Sequence, residues 1–154
     1  MRVDVARHFT KDCHELGIVI HGTFILGLPG ETKETIEETI RFALDTNPHT
    51  LQVSLAAPYP GTFLHRQAME NRWLVDENAN LLTDQGTQIA QLTYPHLSHT
   101  EIFQSVDQFY RRFYFRAGKI GSIVGEMLRS PEVMKRRLRE GIEFFQFLRQ
   151  RDNV

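Results

Sequence analysis

Cysteine is almost absent from this 154-residue chain, where Cys13 stands alone. An internal disulfide is excluded, as is any four-cysteine metal or cluster site built from this chain alone. Charge of one sign is lacking too. Lys and Arg number 18 against 19 Asp and Glu, for a formal net charge of −1, and this balance argues against a global nucleic-acid or membrane field. No apolar run is long enough to span a bilayer, and the N-terminus carries neither the basic region nor the apolar core of a signal peptide. A reducing, cytoplasmic setting is the expectation. Two nucleotide-binding motifs are also missing. There is no G-x-G-x-x-G, and Gly30 is followed by Glu31, Thr32 and Lys33 rather than by the Lys-Ser/Thr of a P-loop.

What is present is a repeat. Phe24-Ile-Leu-Gly-Leu-Pro-Gly-Glu-Thr32 and Val53-Ser-Leu-Ala-Ala-Pro-Tyr-Pro-Gly-Thr62 each run from strand-like residues through a Pro-Gly turn into a helix. The two turns lie about thirty residues apart, the length of one βα unit in a parallel sheet. Ligand sites in such sheets lie at the carboxyl ends of the strands, where both turns fall. Their glycines let backbone groups approach a flat ligand closely, in front of a helix N-terminus.

Around the repeat, Val5, Ala6, Phe9, Cys13 and Leu16 recur at helical spacing and predict one buried stripe closed by Gly17. Strands are predicted from Ile18 to Gly27 and from Thr50 to Ala57, separated by a helix that Thr32 caps and Asn47-Pro48 stops, with Ile36, Ile40, Ala43 and Leu44 inward. Glu37 and Arg41 read as an exposed helical pair of little energetic weight. The strand faces are unequal. Ile20, Gly22, Phe24, Leu26, Leu51, Val53 and Leu55 form an apolar side; His21, Thr23, Ile25, Gly27, Gln52, Ser54 and Ala56 form a small or polar one. The apolar side is expected to meet helices and the other to line an interior cavity. The competing reading is a closed core in which these polar groups bond one another or water. The other histidines show no metal-ligand spacing and are expected on the surface or in loops, so no metal site is assigned.

The run His21-Gly-Thr-Phe-Ile-Leu-Gly-Leu-Pro-Gly-Glu-Thr32, the run Leu51-Gln-Val-Ser-Leu-Ala-Ala-Pro-Tyr-Pro-Gly-Thr62 and the Ala68 to Leu74 segment ending in Asn-Arg-Trp-Leu together resemble the later strands of radical S-adenosylmethionine (SAM) enzymes. Within that family the chain resembles the group with a cobalamin-binding N-terminal domain, and most of all the hopanoid-biosynthesis-associated proteins, with Tyr110-Arg-Arg-Phe-Tyr-Phe-Arg116 adding to the likeness. The anaerobic magnesium-protoporphyrin ester cyclases are a near relative.

The resemblance implies an α/β fold: the C-terminal part of a (β/α)6 partial TIM barrel, two parallel strands with flanking helices, followed by an all-α C-terminal extension. It implies S-adenosylmethionine and a [4Fe-4S] cluster as cofactors, with cobalamin a candidate in the full-length protein. The Cys-x-x-x-Cys-x-x-Cys ligands of that cluster are not in this chain, so the fragment alone is expected to be inactive. Carried over residue by residue, Ile25, Gly27 and Leu28, with Pro29 and Gly30, approach the adenine, and Ala56 and Pro58 complete the cofactor side. His21, Thr23, Gln52, Ser54 and Tyr59 face the substrate cavity. The implied partners are a missing N-terminal barrel half or domain and an apolar, hopanoid-like small molecule; no nucleic acid is expected. The alternative is a non-catalytic α/β binding or interaction module.

The barrel part is assigned to 1–74, an irregular connection with a short strand near Ile89 to Tyr94 to 75–97, and a helical extension to 98–154. Ser98-His-Thr-Glu101 is a capping box opening a helix with Ile102, Val106, Phe109 and Phe113 inward. A second helix is predicted from Ile120 to Leu128 with Ile120, Ile123, Val124 and Met127 inside. A third starts at Ser130-Pro131, with Met134, Leu138, Phe145 and Leu148 inside. Phe144, Phe145 and Phe147 crowd its C-terminal turns. The tail is rich in arginine, and is read either as a solvated face or as a basic surface that lies on a membrane.

Overall fold

A computed structural model describes residues 2–76, 88–128 and 130–151, apart from the side chains of 144, 147, 148, 150 and 151. Its architecture is α/β, with two parallel strands and six helices among the described residues, compatible with a partial barrel followed by a helical extension. Helix α1 (Val3–Glu15) leads into β1 (His21–Leu26), helix α2 (Lys33–Thr46), β2 (Thr50–Leu55) and helix α3 (Phe63–Glu70); helices α4 (His99–Tyr114), α5 (Ala117–Met127) and α6 (Pro131–Arg151) follow. The predicted strand bounds shrink to these six-residue spans, where the two strands pair from His21↔Thr50 to Leu26↔Leu55. Both strands run the same way because α2 crosses back between them.

Local signals fix α2. The Thr32 hydroxyl accepts the Thr35 N–H at 3.3 Å and the Thr35 hydroxyl accepts the Thr32 N–H at 2.9 Å, a reciprocal cap. Asn47 ends the helix at φ 46°, a conformation asparagine tolerates. The apolar strand face packs on α2 and α4. Ile36, Ile40 and Ala43 from α2, Leu51, Val53 and Leu55 from β2, and Ile102, Val106, Phe109 and Phe113 from α4 share one core, with the Phe24 and Phe109 rings 5.0 Å apart. The α4 capping box is formed as expected.

Three expectations fail. In α1 only Cys13 is buried, while Val5, Leu16 and Phe9, the last 62% exposed, face outward. In α5 Ile120 and Val124 are exposed and Lys119 is buried instead; in α6 Met134, Phe145 and Leu138, the last 52% exposed, lie outside. The side chains of Phe144, Phe147 and Leu148 lie outside those described. Periodicity identifies an apolar face but not whether anything covers it, and here α1, α5 and α6 sit at the margin of the core. The connection at 75–97 carries no full strand among its described residues; its bridges include Leu74↔Leu92 and Tyr94↔Leu97, and residues 77–87 lie outside the described set. The α6 arginines are largely matched by acids: Arg136 by Glu140, Arg139 by Glu143, and Arg137 by Glu126 and Glu140. No helix among the described residues is long and apolar enough to cross a membrane.

Glu37 also departs from expectation. Besides Arg41 at 2.8 Å it takes both guanidinium nitrogens of Arg112, tying α2 to α4. Arg112 first, then Arg41, hold its carboxyl down at about 2. Because the folded value lies below the ordinary 4.5, this stabilisation is complete above that pH and is lost as pH falls from there through about 2. Thermal melts of wild type and Glu37→Gln are therefore expected to differ at pH 7 and to converge near pH 2; a constant difference across that range contradicts the assignment.

Candidate functional site

Both strands end in corners of one design. Gly30 and Gly61 each have φ +84°, and two residues after Pro29-Gly30, and one after Pro60-Gly61, a threonine caps the next helix, Thr62 accepting the His65 N–H at 3.2 Å. At the first corner Gly27 has φ +87°, and a Cβ there would stand 3.0 Å from Ile102 Cγ2. This corner is tied down from three sides. The Gly27 N–H donates to the Glu31 carboxylate, the Tyr94 hydroxyl donates to the Gly27 carbonyl at 2.8 Å, and His96 Nε2 donates to the Glu31 carbonyl at 3.0 Å. Burial pushes the Glu31 carboxyl up against the lowering pull of the Gly27 and Leu28 N–H groups. Burial and then the Glu31 charge push the Tyr94 phenol up to about 12, so that it stays a donor.

The second corner meets the first directly, the Ala56 N–H donating to the Leu26 carbonyl at 2.8 Å. Of the expected cofactor residues, Gly27, Ala56 and Pro58 are buried beneath the surface and Pro29 is half-buried, whereas Ile25, Leu28 and Gly30 are exposed. Leu28 is 46% and Ile25 52% exposed, so the strand ends present an apolar ledge over a rigid backbone. Tyr59 is exposed beside it.

Below the ledge the expected cavity residues do share one face, by register: His21 with Thr50, Thr23 with Gln52, Ile25 with Ser54. His21 Nδ1 lies 2.7 Å from the Thr50 hydroxyl. The enclosed cavity is not formed, however. His21, Thr23 and Gln52 are exposed and Ser54 half-buried, because two strands cannot close around a lumen. Nor do these groups form a closed polar core within this chain.

The two sheet edges differ. On β2 the N–H groups turned away from β1 are all taken by side chains: Leu51 by the Tyr114 hydroxyl at 3.1 Å, Val53 by the Tyr110 hydroxyl at 3.0 Å, Leu55 by Gln88 Oε1 at 3.0 Å. No strand can add there. The outer edge of β1 has no strand beside it among the described residues. An open groove of about 930 Å3 runs along it between α1 and α2, lined by Val5, Phe9, His21, Thr23 and Phe42 among others. Sequence reasoning missed Glu31, Tyr94, Tyr110 and Tyr114, whose roles are set by contacts up to 67 residues away along the chain. Glu31 stood inside the quoted corner motif, and Tyr110 and Tyr114 inside the quoted Tyr110–Arg116 stretch, but nothing local marked what any of them bonds to.

No family model matches the chain. It is 33% identical over 106 residues to an uncharacterised methyltransferase of Pyrococcus horikoshii, covering 69% of this chain and 22% of that protein. It is 34% identical over 104 residues to the anaerobic magnesium-protoporphyrin IX monomethyl ester cyclase of Cereibacter sphaeroides, covering 66% and 16%. A probable threonylcarbamoyladenosine tRNA methylthiotransferase of Pyrococcus horikoshii is 28% identical over 79 residues, covering 51% and 18%. The chain thus spans 22% or less of the length of each of these relatives.

Proposed function

We propose that this chain is the C-terminal part of a radical SAM enzyme, the family to which the matched relatives belong. The observation that carries this reading is the unequal pair of sheet edges. With β2 sealed by Tyr110, Tyr114 and Gln88, the sheet grows only from β1, on the side where α1 leaves Val5 and Phe9 uncovered. A preceding parallel strand and its helix fit that groove, and the polar face of β1 and β2 then becomes part of a lumen rather than of the surface.

The chain's residues fit one of the two family cofactors. The single cysteine, buried in α1, offers no ligand set for an iron–sulfur cluster, and on this reading the cluster's ligands lie upstream. Ile25 and Leu28, held on the tied Gly27 corner, suit the face of an adenine, since exposed apolar side chains gain by covering an aromatic ring. When bound beside a cluster, S-adenosylmethionine supplies the radical chemistry. This chain's own part is to seat the adenosine, keep the corner rigid through Glu31, Tyr94 and His96, and present His21, Thr23, Gln52, Ser54 and Tyr59 to the substrate. Cobalamin use and an apolar, hopanoid-like substrate are supported by the sequence resemblance described above. The match to the magnesium-protoporphyrin ester cyclase favours a second substrate class, a tetrapyrrole ester, and product analysis with both substrates separates the two.

A protein extended upstream through a three-cysteine segment and loaded with its cluster is expected to bind S-adenosylmethionine in equilibrium dialysis. Leu28→Arg, at an exposed position, is expected to weaken that binding about tenfold or more. Absence of binding by the extended, cluster-loaded protein would overturn the reading.

A further inference from the structure

The strands' other end, about 20 Å from the Gly27 corner at the usual rise per residue, holds a separate cavity of about 370 Å3. His14 from the end of α1, His49 just before β2, and Arg116, Gly118, Lys119 and Ser122 at the start of α5 line it. Lys119 is buried, with 9% of its surface exposed. One ammonium hydrogen goes to the Pro48 carbonyl at 2.8 Å, and the group lies 4.9 Å from the centre of the Phe113 ring; two N–H donors remain. Burial, and next the neighbouring Arg116, push its pKa down to about 8.

A buried charge ordinarily has a partner of opposite sign. The one acid lining this cavity, Glu126, is held by two nitrogens of Arg137, and among the described residues no carboxylate pairs with Lys119. Arg116 does not need one, because it donates to the Leu44 carbonyl and the Asn47 side chain and so caps α2. Further donors surround the same space. His49 Nδ1 accepts the Ile20 N–H at 3.0 Å, which leaves its proton on Nε2. The His14 ring lies 5.2 Å away and donates from Nε2 to the Thr46 carbonyl. Ser122 offers a hydroxyl, and the first turn of α5 has no side-chain cap for its N–H groups.

We propose that this cavity binds a phosphate-type oxyanion, with the Lys119 ammonium as the principal charge and His49 Nε2–H, the Ser122 hydroxyl and the Gly118 and Lys119 N–H groups as donors. Charge-assisted bonds from several directions are what such an anion selects. The site shares no residue with the strand-end ledge, so it stands or falls independently of S-adenosylmethionine binding.

Titration of the full chain with inorganic phosphate at constant ionic strength, followed by amide and imidazole NMR shifts, tests it. Saturable shifts are expected at Gly118, Lys119, Ser122 and His49. Affinity is expected to fall about tenfold or more in Lys119→Met, to stay within about threefold in Lys119→Arg, and to fall about threefold in Ser122→Ala. If Lys119→Met does not melt cooperatively, the other two variants decide, an unchanged affinity in Ser122→Ala counting against the site. Glycerol 3-phosphate and vesicles containing phosphatidic acid then distinguish a soluble monoester from a lipid headgroup. Shifts that do not saturate, or that scatter over the surface arginines, overturn the proposal.

Discussion

Valine at position 27 is expected to lower the stability of this chain by about 2–5 kcal/mol, the sum of a left-handed backbone forced on a branched residue and of overpacking in a filled core. Gly27 has φ +87°, and even the first added carbon would stand 3.0 Å from Ile102 Cγ2. Ile102 is 1% exposed and fixed in the α4 core, so it cannot swing aside as a flexible surface chain would. For a domain of this size the loss corresponds to a fall of about 5–15 °C in melting temperature. The local effect is larger than the number suggests, because the Gly27 N–H and C=O are the anchor points for Glu31 and Tyr94. On the function proposed above, Gly27→Ala in the upstream-extended protein is expected to weaken S-adenosylmethionine binding more than Leu28→Ala does, since it moves the whole corner rather than trimming one contact. A Gly27→Val variant that melts within 2 °C of wild type, as roughly expected of a surface change, would show that the corner is not under these constraints.

The second large effect is expected from removing two hydroxyl groups. Tyr110→Phe/Tyr114→Phe keeps both rings, and thus the packing of α4 on β2, but strips the acceptors from the Val53 and Leu51 N–H groups. A buried N–H without a partner costs about 1–3 kcal/mol, so the double variant is expected to lose about 2–5 kcal/mol in a denaturant titration. It also recreates a bare strand edge, which invites pairing with another chain. Sedimentation is therefore expected to reveal more self-association in the variant than in wild type at equal concentration. A stability loss below about 0.5 kcal/mol with unchanged sedimentation would mean that the tyrosines do not seal the sheet. The distinction matters for the proposed function, because a sealed β2 edge leaves only the β1 edge open to a further strand.

The legible part of this protein is the part written in neighbouring residues. The Pro-Gly-Thr corners, the Thr32 and Ser98 caps, the Asn47 stop and the α4 stripe all depend on residues within about one helical turn of one another, and all are formed. The strand faces were legible for the same reason, since alternation is local; His21, Thr23, Gln52 and Ser54 share a side as their spacing requires. What lies opposite a face was not. The α1, α5 and α6 stripes have helical spacing but largely uncovered apolar positions, and the polar strand face is open where a lumen was expected. The Glu37–Arg112 pair joins positions 75 residues apart, a separation at which no periodicity carries information.

From the sequence alone come the two repeated βα units, their parallel order and the corner at which a cofactor is to be sought, because short-range sterics and hydrogen bonding allow the chain few other conformations there. Only the tertiary structure decides which sheet edge is closed, that Glu31 and Tyr94 lock the Gly27 corner, and that Lys119 is buried beside an open space. Apart from the Glu31–Gly27 contact, which spans four residues, these depend on groups far apart in the chain meeting within about 3 Å, and such meetings are set by how the elements pack rather than by the residues on either side.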